Sequence, residues 1–295
     1  MKLRTPLFAP ADSERKVAKA LASNADAVIL DLEDSVAPTA KEGARAATAA
    51  LLASAPNRPG LIVRVNPRDT VWYLPDLAAV VPGRPAAILL PKCTSPEDLR
   101  AIDQHLEALE TASGLDVGGI GVLALVTETA ASLRCMDYRG ITPRLRALVF
   151  GAEDLAADFG ISPRDADGLY TAPVAAARSA LLVAAVQAGV PAIDTPWPNP
   201  RDPAGLQAEI AAAVRDGFVG KLCIHPDQVA PAAAAFTPPP ERVRWAVAVR
   251  DLFAANPNAG VMSLDGRMVD RPHLKLAERI LAAAPPNRAA DATAG

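Results

Sequence analysis

Two acidic residues follow short apolar runs and have the strongest potential for chemistry in this sequence. Glu128 ends the run Val122-Leu-Ala-Leu-Val-Thr-Glu128, and Asp154 ends the run Ala147-Leu-Val-Phe-Gly-Ala-Glu-Asp154. Both runs predict buried strands, and a carboxylate at the rim of a buried sheet is costly unless something binds it. Two such carboxylates can hold a divalent cation, with water and substrate oxygens completing the shell. The alternative is that each acid caps the helix that follows it.

Arg64 is the residue best suited to bind an anionic substrate beside these acids. It lies in Leu61-Ile-Val-Arg-Val-Asn66, which predicts a third strand. A guanidinium grips a carboxylate through two parallel hydrogen bonds, so Arg64 suits a substrate whose other oxygens contact the cation. The alternative is a buried ion pair with Asp31 or Glu33.

The elements that position these residues alternate between strand and helix about eight times. The predicted strands cover residues 7–10, 27–33, 61–66, 86–92, 122–128, 147–154, 191–197 and 221–226. This alternation is typical of a closed α/β barrel, the (β/α)8 TIM barrel. An open doubly wound sheet is the alternative, but no Gly-rich dinucleotide turn follows the first strand.

Polar residues collect at the ends of the predicted strands, where the chemistry of such barrels lies. They are Asp31, Glu33, Asp34, Arg64, Asn66, Lys92, Glu128, Glu153, Asp154, Asp194 and His225. We therefore expect these side chains to face one common mouth.

The chain predicts a catalytic barrel over residues 1–236, a linker and C-terminal lid over 237–283, and a disordered tail over 284–295. Thr237-Pro-Pro-Pro240 interrupts the alternation and is typical of a stiff linker. Helical patterns follow at about 241–255 and 272–281, and the tail is polar and rich in Pro and Ala. The segment after residue 240 is short, so we expect it to dock on the barrel or on that of a neighbouring subunit.

Composition excludes several classes of protein. The 295 residues are 51% hydrophobic with a net charge of −3 and no long basic run, which predicts no nucleic-acid partner. Apolar stretches end before membrane-spanning length, and the first residues lack a signal-peptide pattern, so we expect no membrane association. The three cysteines are far apart and lack metal-type spacing, which predicts a reduced, cytoplasmic setting.

Several short motifs stand out along the chain. They are Leu7-Phe-Ala-Pro-Ala-Asp, Asp31-Leu-Glu-Asp-Ser-Val-Ala-Pro38 with Lys41 and Arg45, Arg64-Val-Asn, Pro91-Lys, Glu128-Thr, Glu153-Asp-Leu and Cys223-Ile-His-Pro. As a set they resemble the citrate lyase β-subunit family, in the superfamily of the HpcH/HpaI aldolases and the malyl-CoA, citramalyl-CoA and citryl-CoA lyases. The resemblance extends from Leu7 to the last helix. The motifs are specific as a set, although each is weak alone.

The resemblance implies a Mg²⁺-dependent barrel that cleaves or forms a carbon–carbon bond beside an acyl-CoA thioester. The substrate would be a 3-hydroxy-carboxyacyl-CoA such as malyl-, citramalyl- or citryl-CoA, and the products acetyl-CoA and a 2-keto acid. By resemblance, Glu128 and Asp154 are the Mg²⁺ ligands and Arg64 holds the keto or hydroxy acid. Glu153 stands where a small residue is expected in the family.

The resemblance also implies a catalytic residue from another subunit. Asp270, in Met268-Val-Asp270-Arg-Pro, corresponds to a lid aspartate that enters a neighbouring subunit's site as acid/base, with Asp265 as the competing acid. We therefore expect a homotrimer or hexamer. The CoA phosphates need cations near the mouth, and Arg4, Arg15, Lys19 and Lys92 are candidates.

Three other functions remain open from the residues alone. A class II aldolase acting on free 2-keto acids would use the same metal site. A class I aldolase would form a Schiff base on Lys92. A non-catalytic subunit, or one that depends on a citrate lyase complex, would need partner proteins. The keto acid is also open, because glyoxylate, pyruvate and oxaloacetate all suit one arginine and one metal ion.

Overall fold

Eight parallel strands follow one another in a single sheet in this computed structural model, which describes residues 1–54 and 60–285. The strands are β1 (Pro6–Pro10), β2 (Ala27–Asp31), β3 (Leu61–Arg64), β4 (Ala87–Leu90), β5 (Gly121–Leu125), β6 (Leu145–Val149), β7 (Ala192–Asp194) and β8 (Gly220–Lys221). Leu7 bridges to Cys223 in parallel, so the first strand meets the chain just after the last one. This arrangement confirms the predicted (β/α)8 barrel.

The seam of the barrel depends on residues that precede β1. The Lys221 N–H donates to the carbonyl of Arg4 at 3.0 Å, and the Cys223 N–H donates to that of Pro6 at 2.8 Å. A Cβ at Gly220 would overlap the carbonyl oxygen of Leu3, so only glycine permits this approach.

Helices follow most of the strands. They are α1 (Glu14–Leu21), α2 (Lys41–Ser54), α3 (Tyr73–Val80), α4 (Pro96–Ala112), α5 (Glu153–Phe159), α6 (Ala172–Ala188), α7 (Pro203–Asp216) and α8 (Val229–Ala235). After β5 the chain forms a 3₁₀ turn at Ser132–Arg134 in place of an α-helix. None of the described helices is long and apolar enough to span a bilayer.

The barrel interior is packed with side chains from alternate strand positions. Ile29, Ile62, Leu89, Leu123 and Leu125 are among the buried residues of this core. Side chains along a strand point alternately to its two faces. Asp31 lies two residues after Ile29, and Arg64 two residues after Ile62, so both point inward near the carboxyl ends of β2 and β3. The register pairs Asp31 directly with Arg64.

A buried ion pair holds the amino ends of β5 and β6. Arg144 donates to Glu110 through Nη1 at 2.9 Å and Nη2 at 2.7 Å, and Glu110 also accepts from the Ile120 N–H at 2.9 Å. The side chains of Arg144 and Glu110 are 2% and 0% exposed. These contacts satisfy both charges at the end of the barrel opposite the mouth.

The described residues from Ala234 onward form a second compact unit, and those up to Ala233 form the first. It contains α9 (Pro240–Ala255), the antiparallel hairpin β9 (Val261–Leu264) and β10 (Arg267–Asp270), and α10 (Arg271–Ala283). The unit has a small core of its own, which includes Val243, Phe253 and Val269. The role of this segment as a lid stays a prediction. The tail, which was predicted to be disordered, lies outside the described residues from residue 286 onward.

The three cysteines are all unpaired thiols. Cys93 and Cys223 are buried, and this burial raises the pKa of Cys223 to about 12. Cys135 is exposed. The two buried cysteines therefore act as small core residues.

Candidate active site

A cavity of about 350 Å³ lies at the carboxyl ends of the strands. Residues of every strand except β4, or of the loops after them, line it. Its apolar wall includes Phe8, Leu125, Phe150 and Leu222, and its acidic residues are Asp31, Asp34, Glu128, Glu153 and Asp154. Arg64 is the one basic residue among those that line this cavity within the described chain.

Glu128 and Asp154 reach this cavity from adjacent loops. Glu128 lies three residues after β5 and is buried, whereas Asp154 lies in the first turn of α5 with a side chain that is 37% exposed. The Gly151 N–H donates to Oγ1 of Thr127 at 2.9 Å, which ties the two loops together. A Cβ at Gly151 would lie 2.7 Å from Cγ of Glu128, so a side chain there would displace the acid.

The electrostatics of these acids fit a divalent cation. Burial and the neighbouring carboxylates of Glu33 and Asp154 raise the pKa of Glu128 to about 8. A bound cation would offset both the burial of the Glu128 carboxylate and its repulsion by the other two, and carboxylate oxygens are the ligands that Mg²⁺ prefers. No group of three or more His, Cys, Asp or Glu residues in the described chain is arranged to hold an ion. Water and substrate oxygens would therefore complete the coordination.

Lys92 connects several of the acids. Its main-chain N–H donates to Oε2 of Glu128 at 2.5 Å, and its Nζ donates to Oε1 of Glu33 at 2.6 Å. Nζ also lies 3.5 Å from Asp34 and 3.7 Å from Asp154. Burial is the largest single influence and lowers the pKa of Lys92. The hydrogen bond to Glu33 and the charges of the nearby acids together outweigh it and raise the pKa of Lys92. A firmly protonated lysine is a poor nucleophile, which disfavours the Schiff-base alternative.

Arg64 makes the ion pairs that were considered as its alternative role, and it also lines the cavity. Nε and Nη2 donate to the two carboxylate oxygens of Asp31, each at 2.7 Å, and Nη1 lies 2.8 Å from Oε2 of Glu33. The guanidinium stacks 4.8 Å from the ring centroid of Phe8. Burial acts against its charge, yet the hydrogen bonds to Asp31 raise the pKa of Arg64. The guanidinium is thus fixed in place, with donors left for one further carboxylate.

The sequence pattern of the HpcH/HpaI aldolase/citrate lyase family matches residues 4–226. The chain belongs to this family. This membership confirms the resemblance of the motifs and makes the chain an enzyme of a carbon–carbon lyase family.

The similarity extends beyond the barrel. Citrate lyase subunit beta of Escherichia coli (strain K12) is 33% identical over 286 residues, which cover 95% of this chain and 93% of that protein. The mitochondrial citramalyl-CoA lyase of Homo sapiens is 32% identical over 298 residues, which cover 93% of this chain and 83% of the human protein. The crystal structure of CitE from Mycobacterium tuberculosis in complex with magnesium, acetoacetate and coenzyme A has a TM-score of 0.73 and 33% identity, covering 98% of both chains.

Arg4 is not among the residues that this family fold brings to the mouth. It precedes β1 and forms a two-point ion pair with Asp26, with Nε and Nη2 each 2.7 Å from a carboxylate oxygen. Arg4 lies six positions before Pro10, the last residue of β1, so about 20 Å of extended chain separates the two residues. The expectation that Arg4 binds CoA phosphates at the mouth is therefore corrected.

Other cations lie beside the mouth of this family member. A second cavity of about 310 Å³ shares Phe8, Pro10 and Ile224 with the first one. Its basic lining residues are Arg15, Lys16 and Lys19, with His225 nearby. The three are exposed and form no ion pair with the described residues. Arg15 and Lys19 had been anticipated, whereas Lys16 was missed because its place on α1 relative to the mouth is not visible in the sequence.

Asp194 and Glu153 were both expected to face the mouth of the barrel, but only Glu153 lines the cavity. Asp194 points away from the interior of the family barrel and pairs with Arg178 at 3.1 Å and Lys221 at 3.0 Å. Its neighbour Thr195 lines the cavity instead. Glu153 lines the cavity as a helix N-terminal acid and lies 3.5 Å from Arg164.

Asp270 belongs to the second unit, where it is the N-cap of α10. Its Oδ1 lies 2.5 Å from Nδ1 of His273, and this hydrogen bond lowers the pKa of Asp270. Asp265 is an exposed residue of the turn between β9 and β10, with a left-handed backbone at φ 51°. The choice between these acids stays a prediction.

Proposed function

We propose that this chain is a Mg²⁺-dependent lyase that cleaves or forms the carbon–carbon bond of a 3-hydroxy-carboxyacyl-CoA. The cleavage products are acetyl-CoA and a 2-keto acid. The observation that carries the proposal is the cavity in which the carboxylates of Glu128 and Asp154 lie with the fixed guanidinium of Arg64. The family relatives, which include a citramalyl-CoA lyase, support the same reaction class.

Glu128 and Asp154 would hold the cation. When bound, Mg²⁺ would polarise the substrate's carboxylate and hydroxyl oxygens and lower the pKa of that hydroxyl. Lys92 positions Glu128 through the main-chain hydrogen bond at 2.5 Å and balances part of the surrounding negative charge through its ammonium group. Gly151 leaves the space that Glu128 occupies.

Arg64 would hold the carboxylate of the keto acid. Asp31 fixes the guanidinium through two hydrogen bonds, so little freedom is lost when the substrate binds. The bound acid would then keep the scissile bond in one orientation beside the cation site.

The CoA phosphates would bind at the second cavity. Arg15, Lys16 and Lys19 supply three positive charges there. Because the two cavities share Ile224 and Phe8, the thioester end of the same ligand would reach the first cavity. A free keto-acid aldolase has no use for these cations, which favours the CoA ester over that alternative.

Asp270 would act as the acid/base at the methyl carbon of acetyl-CoA, from a neighbouring subunit of a homotrimer or hexamer. Its lowered pKa keeps it ionised at neutral pH, which suits removal of a proton in the condensation direction. A protein that is strictly monomeric and fully active would contradict this part of the proposal.

The test is cleavage of malyl-, citramalyl- and citryl-CoA by the purified protein, with Mg²⁺ and with excess EDTA. We expect EDTA-sensitive release of acetyl-CoA that is lost in Glu128→Gln and Asp154→Asn variants with unchanged circular dichroism. Cleavage of none of the three esters in the presence of Mg²⁺ would refute the proposed function. Free 2-keto acids as aldol substrates would then be tested next.

A further inference from the structure

The residues that line the first cavity include more acids than bases. Five acidic residues line it, Asp31, Asp34, Glu128, Glu153 and Asp154, against the single cation Arg64 among the described lining residues. Lys92 and Arg164 lie outside the lining and offset part of this excess, with Lys92 Nζ 3.5 Å from Asp34 and 3.7 Å from Asp154 and Arg164 3.5 Å from Glu153. A divalent ion would offset a further part. A ligand that brings a second carboxylate into the cavity therefore finds no surplus of positive charge to bind it.

The donors available for substrate carboxylates are also few. Asp31 uses two of the N–H groups of Arg64, and Glu33 faces Nη1 at 2.8 Å, so the guanidinium has room for one carboxylate. Lys92 does not add a second clamp, because its Nζ already faces Glu33, Asp34 and Asp154 within 3.7 Å.

The rest of the wall carries no charge: it has the hydroxyl residues Ser35 and Thr195 and is otherwise apolar. Leu125 and Leu222 are each 2% exposed, Phe150 is fully buried, and Phe8 stacks on Arg64. A carboxylate against this wall would lose its hydration without gaining a partner. A methyl group there would instead be removed from water, which is favourable.

We propose that the keto-acid part of the site takes a monocarboxylic 2-keto acid with a small apolar substituent, of which pyruvate is the simplest. A dicarboxylic keto acid such as oxaloacetate is rejected. The preferred ester is then citramalyl-CoA rather than citryl-CoA. This inference rests on the proposed function, and it ranks the three CoA esters that the proposed function does not distinguish.

The experiment compares kcat/KM for citramalyl-, malyl- and citryl-CoA under saturating Mg²⁺. We expect citramalyl-CoA to be best, malyl-CoA to be about 10-fold poorer for lack of the methyl group, and citryl-CoA to be about 100-fold poorer. Citryl-CoA at or above the value for citramalyl-CoA overturns the inference while the proposed function stands. Malyl-CoA at or above that value overturns the part assigned to the methyl group. Cleavage of no ester refutes both.

A matched pair of variants tests the cause. Ile224 lines the cavity and is 41% exposed, so it tolerates a polar substitution. Ile224→Arg adds a second cation, and Ile224→Gln adds polarity without charge. We expect Ile224→Arg alone to raise the ratio of citryl-CoA to citramalyl-CoA cleavage, by about 10-fold. Both esters carry the same CoA, so any effect on CoA binding cancels in this ratio. An unchanged ratio in Ile224→Arg would overturn the explanation by a missing cation.

Competition gives a second readout. Pyruvate should inhibit citramalyl-CoA cleavage at lower concentration than oxaloacetate does in the wild-type protein. Equal or stronger inhibition by oxaloacetate would contradict the inference independently of the relative turnover of the three esters.

Discussion

The main-chain N–H of Lys92 lies 2.5 Å from Oε2 of Glu128, and Lys92 adopts a left-handed backbone conformation with φ 48°. A lysine in this conformation costs about 1–2 kcal/mol. The same conformation lets the amide bind Glu128 while the ammonium group binds Glu33. The loop after β4 thus orients an acid of the loop after β5, although Lys92 does not itself line the cavity.

Gly151→Ala should displace Glu128 and weaken Mg²⁺ binding. The added Cβ would lie 2.7 Å from Cγ of Glu128, and the acid must move to relieve this contact. A shift of about 1 Å at a metal ligand costs about 100-fold in activity. Isothermal titration with Mg²⁺ and the ester cleavage assay measure both effects. Gly43→Ala is the matched control, because its Cβ would meet no atom within 4 Å. Unchanged Mg²⁺ affinity in Gly151→Ala would contradict the assignment of Glu128.

Mg²⁺ binding should release a proton near neutral pH. In the cation-free protein the pKa of Glu128 is raised to about 8, so its carboxyl is mostly protonated at pH 7 and must ionise to bind the ion. The apparent affinity should rise by up to about 10-fold per pH unit below this pKa and level off above it. Titration at pH 7 in two buffers of different ionisation enthalpy counts the proton. Glu128→Gln should release none, and an affinity that is flat between pH 6 and 9 would refute the prediction.

Arg144→Met should destabilise the protein without changing the site. It leaves Glu110 buried at the amino end of the barrel without its charge partner, which costs about 3–5 kcal/mol. Urea unfolding at pH 7 measures the loss, and Glu110→Leu in the same chain should recover part of it. At a temperature where the variant is folded, kcat/KM should match the wild type. A selective loss of activity without loss of stability would show that this pair acts on the mouth.

His273→Ala should move the acidic limb of the pH–rate profile to higher pH. The hydrogen bond from His273 lowers the pKa of Asp270, so its removal returns that pKa towards the ordinary value of an aspartate. If Asp270 is the catalytic base, the acidic limb of the condensation reaction moves to higher pH with that pKa. Asp265→Asn serves as the control and should retain the wild-type profile. A profile unchanged in His273→Ala but altered in Asp265→Asn would reassign the role.

Much of the architecture follows from local patterns, because buried parallel strands are apolar on both faces and alternate with helices. The motif acids Glu128 and Asp154 could be found for the same reason, since each interrupts an apolar run. The sequence could not show which face of β7 points inward, and Asp194 therefore looked like a mouth residue. The error over Arg4 has a related cause, because a residue before a strand lies at the opposite end of the barrel from one after it. The helix α3 went unpredicted, since Pro75 is usually a helix breaker, but here it lies in the first turn, where it breaks no hydrogen bond.

The glycine at the seam of the barrel has a practical consequence for protein engineering. The carbonyl oxygen of Leu3 packs against Gly220, and the carbonyl of Arg4 accepts a hydrogen bond from the Lys221 N–H, so residues 3 and 4 help to close the ring of strands. A truncation that removes residues 1–5 would leave the bonds of Pro6 and Phe8 to Cys223 but would take away the acceptor of the Lys221 N–H, which weakens the closure between β1 and β8. New termini for circular permutation should therefore be placed away from this seam.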